Sequence, residues 1–264
     1  RPAPSARSEP DASSAASAAG AGAAAGAAVS AGLGAASAGG EPFRARFSAI
    51  ISRYPHLSEV EAAGFDSNPA AARMFVIKSF SEDDVQKCIK YGVWASTDSG
   101  NRRLNQGYAE ATAVGAPVYL LFSVNGSGQS CGVARMESAV DFGQKMDFWE
   151  KDKWSGAFRV KWLFIKDVPN GRLRHITLPN NENKPVTNSR DTQDVPLPQL
   201  RQVLKIMSTH QIQSSLLEDF DFYEQRAAEL KAKKEKEKQR KLQREQAAAA
   251  GADDVAATDA GAAL

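Results

Sequence analysis

The order of apolar and polar residues predicts a strand that leads into a helix early in the organised part of the chain. Residues 74–77 (MFVI) form a short apolar run of strand-forming residues. Ser81 is a favoured N-cap residue, and the acids at 82–84 fall where the helix dipole favours negative charge. The pattern therefore predicts a β-strand followed by a capped α-helix.

The middle of the chain predicts a second helix and three further strands. The segment NRRLNQGYAEAT, residues 101–112, predicts the helix. The apolar runs PVYLLFSV and SCGVARMESAV are separated by NGSGQ, whose Asn125-Gly126 pair is a strong hairpin signal. A longer run, FRVKWLFIKDV, predicts the third strand.

A last predicted helix carries its apolar residues on one face, which indicates packing on a core. These residues are Leu197, Leu200, Val203, Leu204 and Met207. Strands and helices thus mix without strict alternation. The sequence predicts an α/β or α+β fold with a compact, partly antiparallel sheet.

Both ends of the chain differ from its middle. The start is nearly all Ala, Gly and Ser, which cannot bury a core. After Tyr223 the apolar stripe gives way to Lys, Arg, Glu and Gln, typical of a solvated helix, although contact with phosphates is an alternative. We expect a disordered segment and linker over 1–72, one folded domain over 73–225, and a charged helical extension with a low-complexity tail over 226–264.

Charge and ligand-forming residues narrow the chemistry. The net charge of +2 gives no general attraction to nucleic acid, so binding of that kind needs a local basic patch. Cys88 and Cys131 form no C-x-x-C pair, and the three histidines stand at no metal-ligand spacing. No stretch approaches the ~20 apolar residues of a membrane span. We expect no metal, no cofactor, no membrane and no enzymatic activity, in a reducing intracellular location.

Two tryptophans, Trp149 and Trp154, lie close together in the charged segment DFWEKDKWSG. Tryptophan is costly to expose. The pair therefore either anchors a loop to a core or stacks on a flat ligand. The pattern alone leaves both alternatives open.

Several strings in unbroken order resemble one family. They include MFVIKSFSEDDVQKCIKYGVWAST, GNRRLN, PVYLLFSVNGSGQSCGVARM, WEKDKWSGAFRVKWLFIKDVPN and LRHITLPNNENKPVTNSRDTQDV. These strings are similar to the YTH domain, nearest to its cytoplasmic YTHDF branch and the plant members of that branch, over about residues 72–225. The resemblance implies a reader of N6-methyladenosine in RNA. It also implies a small curved mixed β-sheet or open barrel of PUA-like form, surrounded by helices.

The resemblance further implies the residues that bind the methylated base. Its aromatic cage falls on Trp94, Trp149 and Trp154. The rest of the base pocket falls on Lys78, Ser79, Phe80, Asp84, Ala95 and Asn125. Many YTHDF members have Tyr at the position of Phe80 and Cys at that of Ala95. Asn125 has an alternative role as a hairpin-turn residue.

Contacts to the RNA backbone are implied at five positions. These are Lys78, Arg103, Lys153, Arg190 and Asp191, of which the last has the alternative role of orienting its neighbour. The expected partner is single-stranded mRNA that carries N6-methyladenosine, with effector proteins recruited through the disordered flanks. The expected outcome is regulation of mRNA fate and stability in the cytoplasm.

Two other functions stay open. An aromatic cage also suits a protein-interaction module for methylated lysine, but the rim residues Lys78, Lys153 and Arg190 would repel a basic peptide. An RNA-modifying enzyme would need an activated nucleophile, a metal cluster or an acid–base pair, and the sequence offers none of these patterns.

Overall fold

A computed structural model describes residues 40–146, 149 and 156–260, with side chains over 43–146, 149 and 156–244. Its α-helices are α1 (Gly40–Arg46), α2 (Ser48–Arg53), α3 (Glu82–Tyr91), α4 (Asp98–Thr112), α5 (Asn170–Leu173), α6 (Leu197–Thr209) and α7 (Phe220–Ala260). Its strands are β1 (Arg73–Ser79), β2 (Val93–Trp94), β3 (Val118–Val124), β4 (Gln129–Ser130), β5 (Gly132–Met136), β6 (Phe158–Phe164), β7 (Val168–Pro169), β8 (Thr177–Leu178), β9 (Lys184–Pro185) and β10 (Gln193–Asp194). None of the described helices is long and apolar enough to span a membrane.

The central element is a mixed six-stranded sheet in the order β10-β1-β3-β5-β6-β2. β1 and β3 run parallel, and every other neighbouring pair is antiparallel. The sheet curls into an open half-barrel, since Lys78 of β1 and Trp94 of β2, far apart in the strand order, line one cavity. The predicted fold class, a small curved mixed sheet with helices around it, is confirmed.

Both faces of the sheet are covered by apolar packing. Phe75 and Ile77 of β1 belong to one core cluster, together with apolar residues of α3 and α4. The alternating residues Met74 and Val76 belong to a second cluster, formed with α6. Because successive side chains on a strand point to opposite faces, burial of both faces explains why β1 reads as a continuous apolar run.

The segment before β1 differs from the linker that was expected up to residue 72. Five apolar residues of this segment are buried in the first core cluster: Phe43 of α1, Phe47 between the helices, Ile50 of α2, and Leu57 and Val60 after them. The first three recur at helical spacing, so that one apolar stripe covers the core. The packed part of the chain thus begins well before residue 73.

Gly132 on β5 occupies a position with no room for a side chain. A Cβ there would lie 2.3 Å from the carbonyl oxygen of Phe164 and 2.9 Å from the ring of Trp162. We expect Gly132→Ala to lower the free energy of unfolding by about 1–3 kcal/mol, the cost of overpacking a core. The control is Gly171→Ala, where nothing lies within 4 Å of the added Cβ. Urea denaturation of both variants checks this, and equal midpoints would contradict it.

Candidate functional site

One cavity of about 420 Å³ opens at the edge of the half-barrel. It is lined by every described residue that the sequence placed in the site: Lys78, Ser79, Phe80, Asp84, Trp94, Ala95, Arg103, Asn125, Trp149, Arg190 and Asp191. Trp154 and Lys153 lie outside the described residues. The structure thus brings together side chains that are more than a hundred residues apart in sequence.

Two indole rings form the aromatic wall of the cavity. The rings of Trp94 and Trp149 meet edge to face, with centroids 5.7 Å apart and planes at 84°. Trp94 packs in the same manner on Phe122, at 5.1 Å and 85°. The two tryptophans are only 5% and 6% exposed and belong to the first core cluster. Trp149 therefore both anchors its segment to the core and lines the cavity.

The backbone around Trp94 is held on both sides. Gly92 ends α3 in the left-handed conformation, at φ 63°, and Trp94 then pairs with Phe158 of β6. The amide of Ser96 donates to the Oδ1 of the fully buried Asn101, at 2.9 Å. The main chain of Ala95 therefore lies between a strand pair and a fixed side-chain contact. The structure thus holds the Ala95 backbone in place where it lines the cavity.

Asp191 connects the two sides of the cavity. Its Oδ1 accepts from the amide of Lys78 at 2.9 Å, and its Oδ2 accepts from the hydroxyl of Ser96 at 2.8 Å. Burial raises the pKa of Asp191, while these two hydrogen bonds act in the opposite direction. Both carboxylate oxygens thus serve to hold β1 against the turn after Trp94. A contact of Asp191 with RNA, or a role in orienting Arg190, stays a prediction.

The start of α3 forms another wall, and the predicted cap is confirmed. The Ser81 hydroxyl accepts from the amide of Asp84 at 3.2 Å and donates to Oδ2 of Asp84 at 2.8 Å. On the neighbouring hairpin the amide of Asn125 donates to the carbonyl of Ser79 at 2.9 Å. The backbone of Asn125 thus takes part in the turn, and the residue also borders the cavity.

The rim of the cavity is basic and carries one exposed aromatic ring. The Nη1 of Arg103 donates to the Thr192 hydroxyl at 2.7 Å, and Arg190 is exposed. Burial lowers the pKa of the Lys78 ammonium, although nearby Cys131 and Asp191 oppose that shift. Phe80, at the mouth, is 74% exposed. A ligand with a flat apolar part and negative charge around it fits these surroundings.

Sequence reasoning missed several small polar residues that shape the cavity. Ser96, Thr97, Ser99, Ser189 and Thr192 all line it. Their signal in the sequence is weak, because Ser and Thr occur in most polar loops. Asn101, four residues after the cap Thr97, was also missed; its Oδ1 accepts from the amide of the cavity residue Ser96.

Among the residues that the structure describes, no three His, Cys, Asp or Glu side chains converge as metal ligands would. The fold and the cavity define a class: a half-barrel domain with an aromatic pocket and a basic rim. A sequence model of the YT521-B-like domain, named YTH, matches residues 72–208. The chain belongs to the YTH family.

Relatives in this family are similar over the same region. YTH domain-containing family protein 1 of Mus musculus is 52% identical over 185 residues, which cover 68% of this chain and 33% of that protein. YTH domain-containing family protein 2 of Homo sapiens is 49% identical over 197 residues, covering 75% of this chain and 34% of that protein. The chain thus spans about a third of the length of these curated relatives, and the likeness is to YTHDF-type proteins.

Solved structures agree with this assignment. The YTH domain of Zygosaccharomyces rouxii MRB1 protein, in complex with N6-methyladenosine RNA, is 42% identical with a TM-score of 0.52, covering 57% of this chain and 95% of that one. The Pho92 YTH domain in complex with m6A is 38% identical with a TM-score of 0.55, covering 58% and 96%. Both domains are described as complexes with the methylated nucleoside.

Proposed function

We propose that this chain binds N6-methyladenosine in single-stranded mRNA and acts as a reader of that modification. The observation that carries the proposal is the pair of perpendicular rings of Trp94 and Trp149 in a cavity with a basic rim. The YTH domains of similar structure, which were solved with the methylated nucleoside, support it. The cavity is large enough for a nucleobase, at about 420 Å³.

In this proposal the aromatic wall selects the methyl group. Trp149 and Trp94, with Trp154 as the third member, stack on the adenine and surround its N6-methyl. Stacking a base on an aromatic ring is worth about 1–3 kcal/mol, and burial of one methyl adds roughly 0.8 kcal/mol. Methyladenine is neutral, so dispersion and desolvation provide the discrimination instead of cation–π attraction.

The polar side of the cavity reads the rest of the nucleoside. The carbonyl of Ala95 accepts the one hydrogen that remains on the methylated amine. Lys78, Ser79, Asp84 and Asn125 border the base edge and the sugar. Phe80 offers an aromatic face at the mouth but no hydroxyl.

The basic rim binds the RNA backbone. Arg103 and Arg190, with Lys78 and Lys153, contact phosphates and supply affinity that does not depend on sequence. The same charges disfavour a methyl-lysine peptide, whose own cations they repel. Asp191 contributes by holding Lys78 and Ser96 in place through its two hydrogen bonds.

The proposal extends to the organisation of the whole protein. Residues 73–225 carry the RNA-binding cavity, and the parts of the segments 1–72 and 226–264 that lie outside the packed helices α1, α2 and α7 recruit effector proteins. The protein acts without catalysis and without a cofactor, on mRNA in the cytoplasm, and it regulates the fate of the bound transcripts.

Calorimetric titration with two short single-stranded RNAs that differ by one N6-methyl group tests the proposal. We expect the methylated RNA to bind about tenfold more tightly or better, equivalent to roughly 1.4 kcal/mol. A methylated-lysine peptide serves as the control ligand and should not bind. Equal affinity for the two RNAs would contradict the reader function, and tight binding of the peptide would favour the protein-interaction module.

A further inference from the structure

The long C-terminal helix α7 is rooted in the folded domain. Phe220 at its start is 1% exposed and packs edge to face on Tyr54, with ring centroids 5.3 Å apart. Arg53 pairs with Asp221 at 2.5 Å and with Glu224 at 3.3 Å. Residues of the segment that precedes β1 thus fix the first turn of α7 in place.

A second set of contacts joins α7 to α3. The Lys90 ammonium lies 2.7 Å from a carboxylate oxygen of Glu224, which also accepts from the Tyr54 hydroxyl. On α7 the partly covered residues Tyr223, Glu224, Ala227 and Leu230 recur at the spacing of one helical face. Together with α3 they line a groove of about 540 Å³. The helix therefore leaves the domain in a fixed direction.

Beyond Leu230 the helix becomes exposed and strongly basic. All side chains from 231 to 244 are exposed, and this stretch holds eight Lys or Arg and two Glu, a net charge of +6. Since the whole chain carries +2, the remainder carries −4. We call residues 231–244 the basic arm. At about 1.5 Å per residue the arm is roughly 20 Å long.

One side of the arm is mainly cationic. Lys233, Lys236, Arg240 and Arg244 follow one another at intervals of three, four and four residues, which places them on a shared helical face. At about 100° per residue, this face is turned roughly 120° away from the stripe that packs on α3. The cations are therefore directed to solvent, away from the domain surface.

The groove between α3 and α7 lies beside the aromatic cavity. Asp84 lines the cavity, and the adjacent Asp83 lines the groove between α3 and α7. The same first turn of α3 thus borders both features. A strand whose methylated base occupies the cavity passes near α7 if it leaves on this side.

We propose that the basic arm is a second RNA contact, which binds phosphates of the same strand outside the cavity. This inference rests on the proposed function, because that function identifies the bound strand as RNA. It adds a binding site that does not depend on methylation. Phosphates need only positive charge, whereas a protein partner needs apolar anchors, which the face of Lys233, Lys236, Arg240 and Arg244 does not offer. The arm raises affinity for long RNA and leaves the choice of methylated base to the cavity.

The test compares an arm variant with a control of equal charge change. The arm variant replaces Lys233, Lys236, Arg240 and Arg244 with Gln, a good helix former. The control replaces four exposed cations elsewhere, Arg172, Arg174, Lys184 and Lys205, with Gln. Each protein is titrated with an RNA of roughly five nucleotides and with one of about 25, both methylated and unmodified, at several salt concentrations.

We expect the arm variant to lose about tenfold or more in affinity for both long RNAs, with a salt slope lower by about 2 to 3. Its affinity for the short methylated RNA and its ratio of methylated to unmodified binding should match the parent. The proposal is wrong if the arm variant binds long RNA as tightly as the parent does, or if the control variant loses as much affinity as the arm variant. Polyglutamate is titrated as a second probe. If the arm variant loses binding only to polyglutamate and not to RNA, the arm binds an acidic protein partner, and the proposal is wrong.

The two proposals fail in different ways. If the parent does not distinguish the short methylated RNA from its unmodified form, the reader function fails, whatever the arm does. The test of the arm is the affinity of the arm variant for the unmodified long RNA, because the cavity adds no methyl-dependent affinity for that RNA. An unchanged result there rejects the arm and leaves the reader function intact.

Discussion

Trp149→Ala is expected to bind methylated and unmodified RNA with equal affinity. The ring of Trp149 lines the cavity and meets Trp94 at 5.7 Å. Its removal takes away stacking surface and the contact with the methyl group, and truncation of a buried aromatic anchor typically costs 2 kcal/mol or more of binding, or about 30-fold. Calorimetry with the paired RNAs measures the loss. A preference for methylated RNA that survives the substitution would be evidence against the cage.

Stability has to be separated from binding in this experiment. Trp149 is 6% exposed, so its truncation also destabilises the fold, by about 3–5 kcal/mol for a core aromatic. The milder Trp149→Phe retains an aromatic side chain, and Trp162→Phe is its matched control. Trp162 is fully buried in the same core cluster and packs on Phe122 at 4.7 Å. It does not line the cavity.

The two Phe variants should therefore differ in selectivity but resemble each other in stability. We expect Trp149→Phe to reduce the preference for methylated RNA severalfold, and Trp162→Phe to leave it unchanged. Thermal unfolding of both proteins shows how much stability each has lost. If Trp162→Phe weakens the preference as much as Trp149→Phe does, the effect follows from stability and not from a cage.

Helices and strands whose apolar residues recur at a regular spacing were predictable from the sequence. The apolar face of α6 was predicted from its spacing, and Leu200, Val203, Leu204 and Met207 are buried. The cap of α3 at Ser81 followed from local chemistry, which depends on neighbours in sequence only. Such features can be predicted from the sequence, because the interactions that stabilise them involve residues close together in the chain.

Features that depend on tertiary contact were not predictable in this way. The helices α1 and α2 follow an Ala-rich low-complexity stretch, and only burial of Phe43 and Phe47 against the core reveals their role. Likewise Trp94 and Trp149 are 55 residues apart in sequence and meet only because the sheet curls. Their place in one cage was expected only from the family resemblance, since no periodicity relates them.

Burial of a charged pair is the least predictable feature. Lys166 follows the apolar strand β6, and its side chain is only 2% exposed. Its ammonium lies 2.9 Å from Oε2 of Glu61, whose side chain is 4% exposed. A pattern of apolar and polar residues would place both groups in solvent. The pair joins the segment before β1 to the end of β6. Either charge would be costly to bury without the other.

The pair also makes stability depend on pH. Burial raises the pKa of Glu61 to about 7 and lowers that of Lys166, and the attraction between the two charges opposes both shifts. Since the pKa of Glu61 is raised from 4.5, the folded protein holds this proton more tightly than the unfolded chain does. The contribution of Glu61 to stability is therefore full below about pH 4.5 and is lost as the pH rises through about 7.

Lys166→Met should lower the free energy of unfolding by about 3–5 kcal/mol at about pH 8, because it leaves the carboxylate of Glu61 buried without its cation. The missing charge raises the pKa of Glu61 further, so the loss should shrink at about pH 5, where Glu61 is protonated. The double variant Glu61→Leu, Lys166→Met removes both charges and should recover most of the stability. Urea denaturation at the two pH values measures all three proteins. A loss that is equal at both pH values and is not recovered by the double variant would instead assign it to the packing of the Lys166 stem near Phe164, whose ring centre lies 5.0 Å from the ammonium.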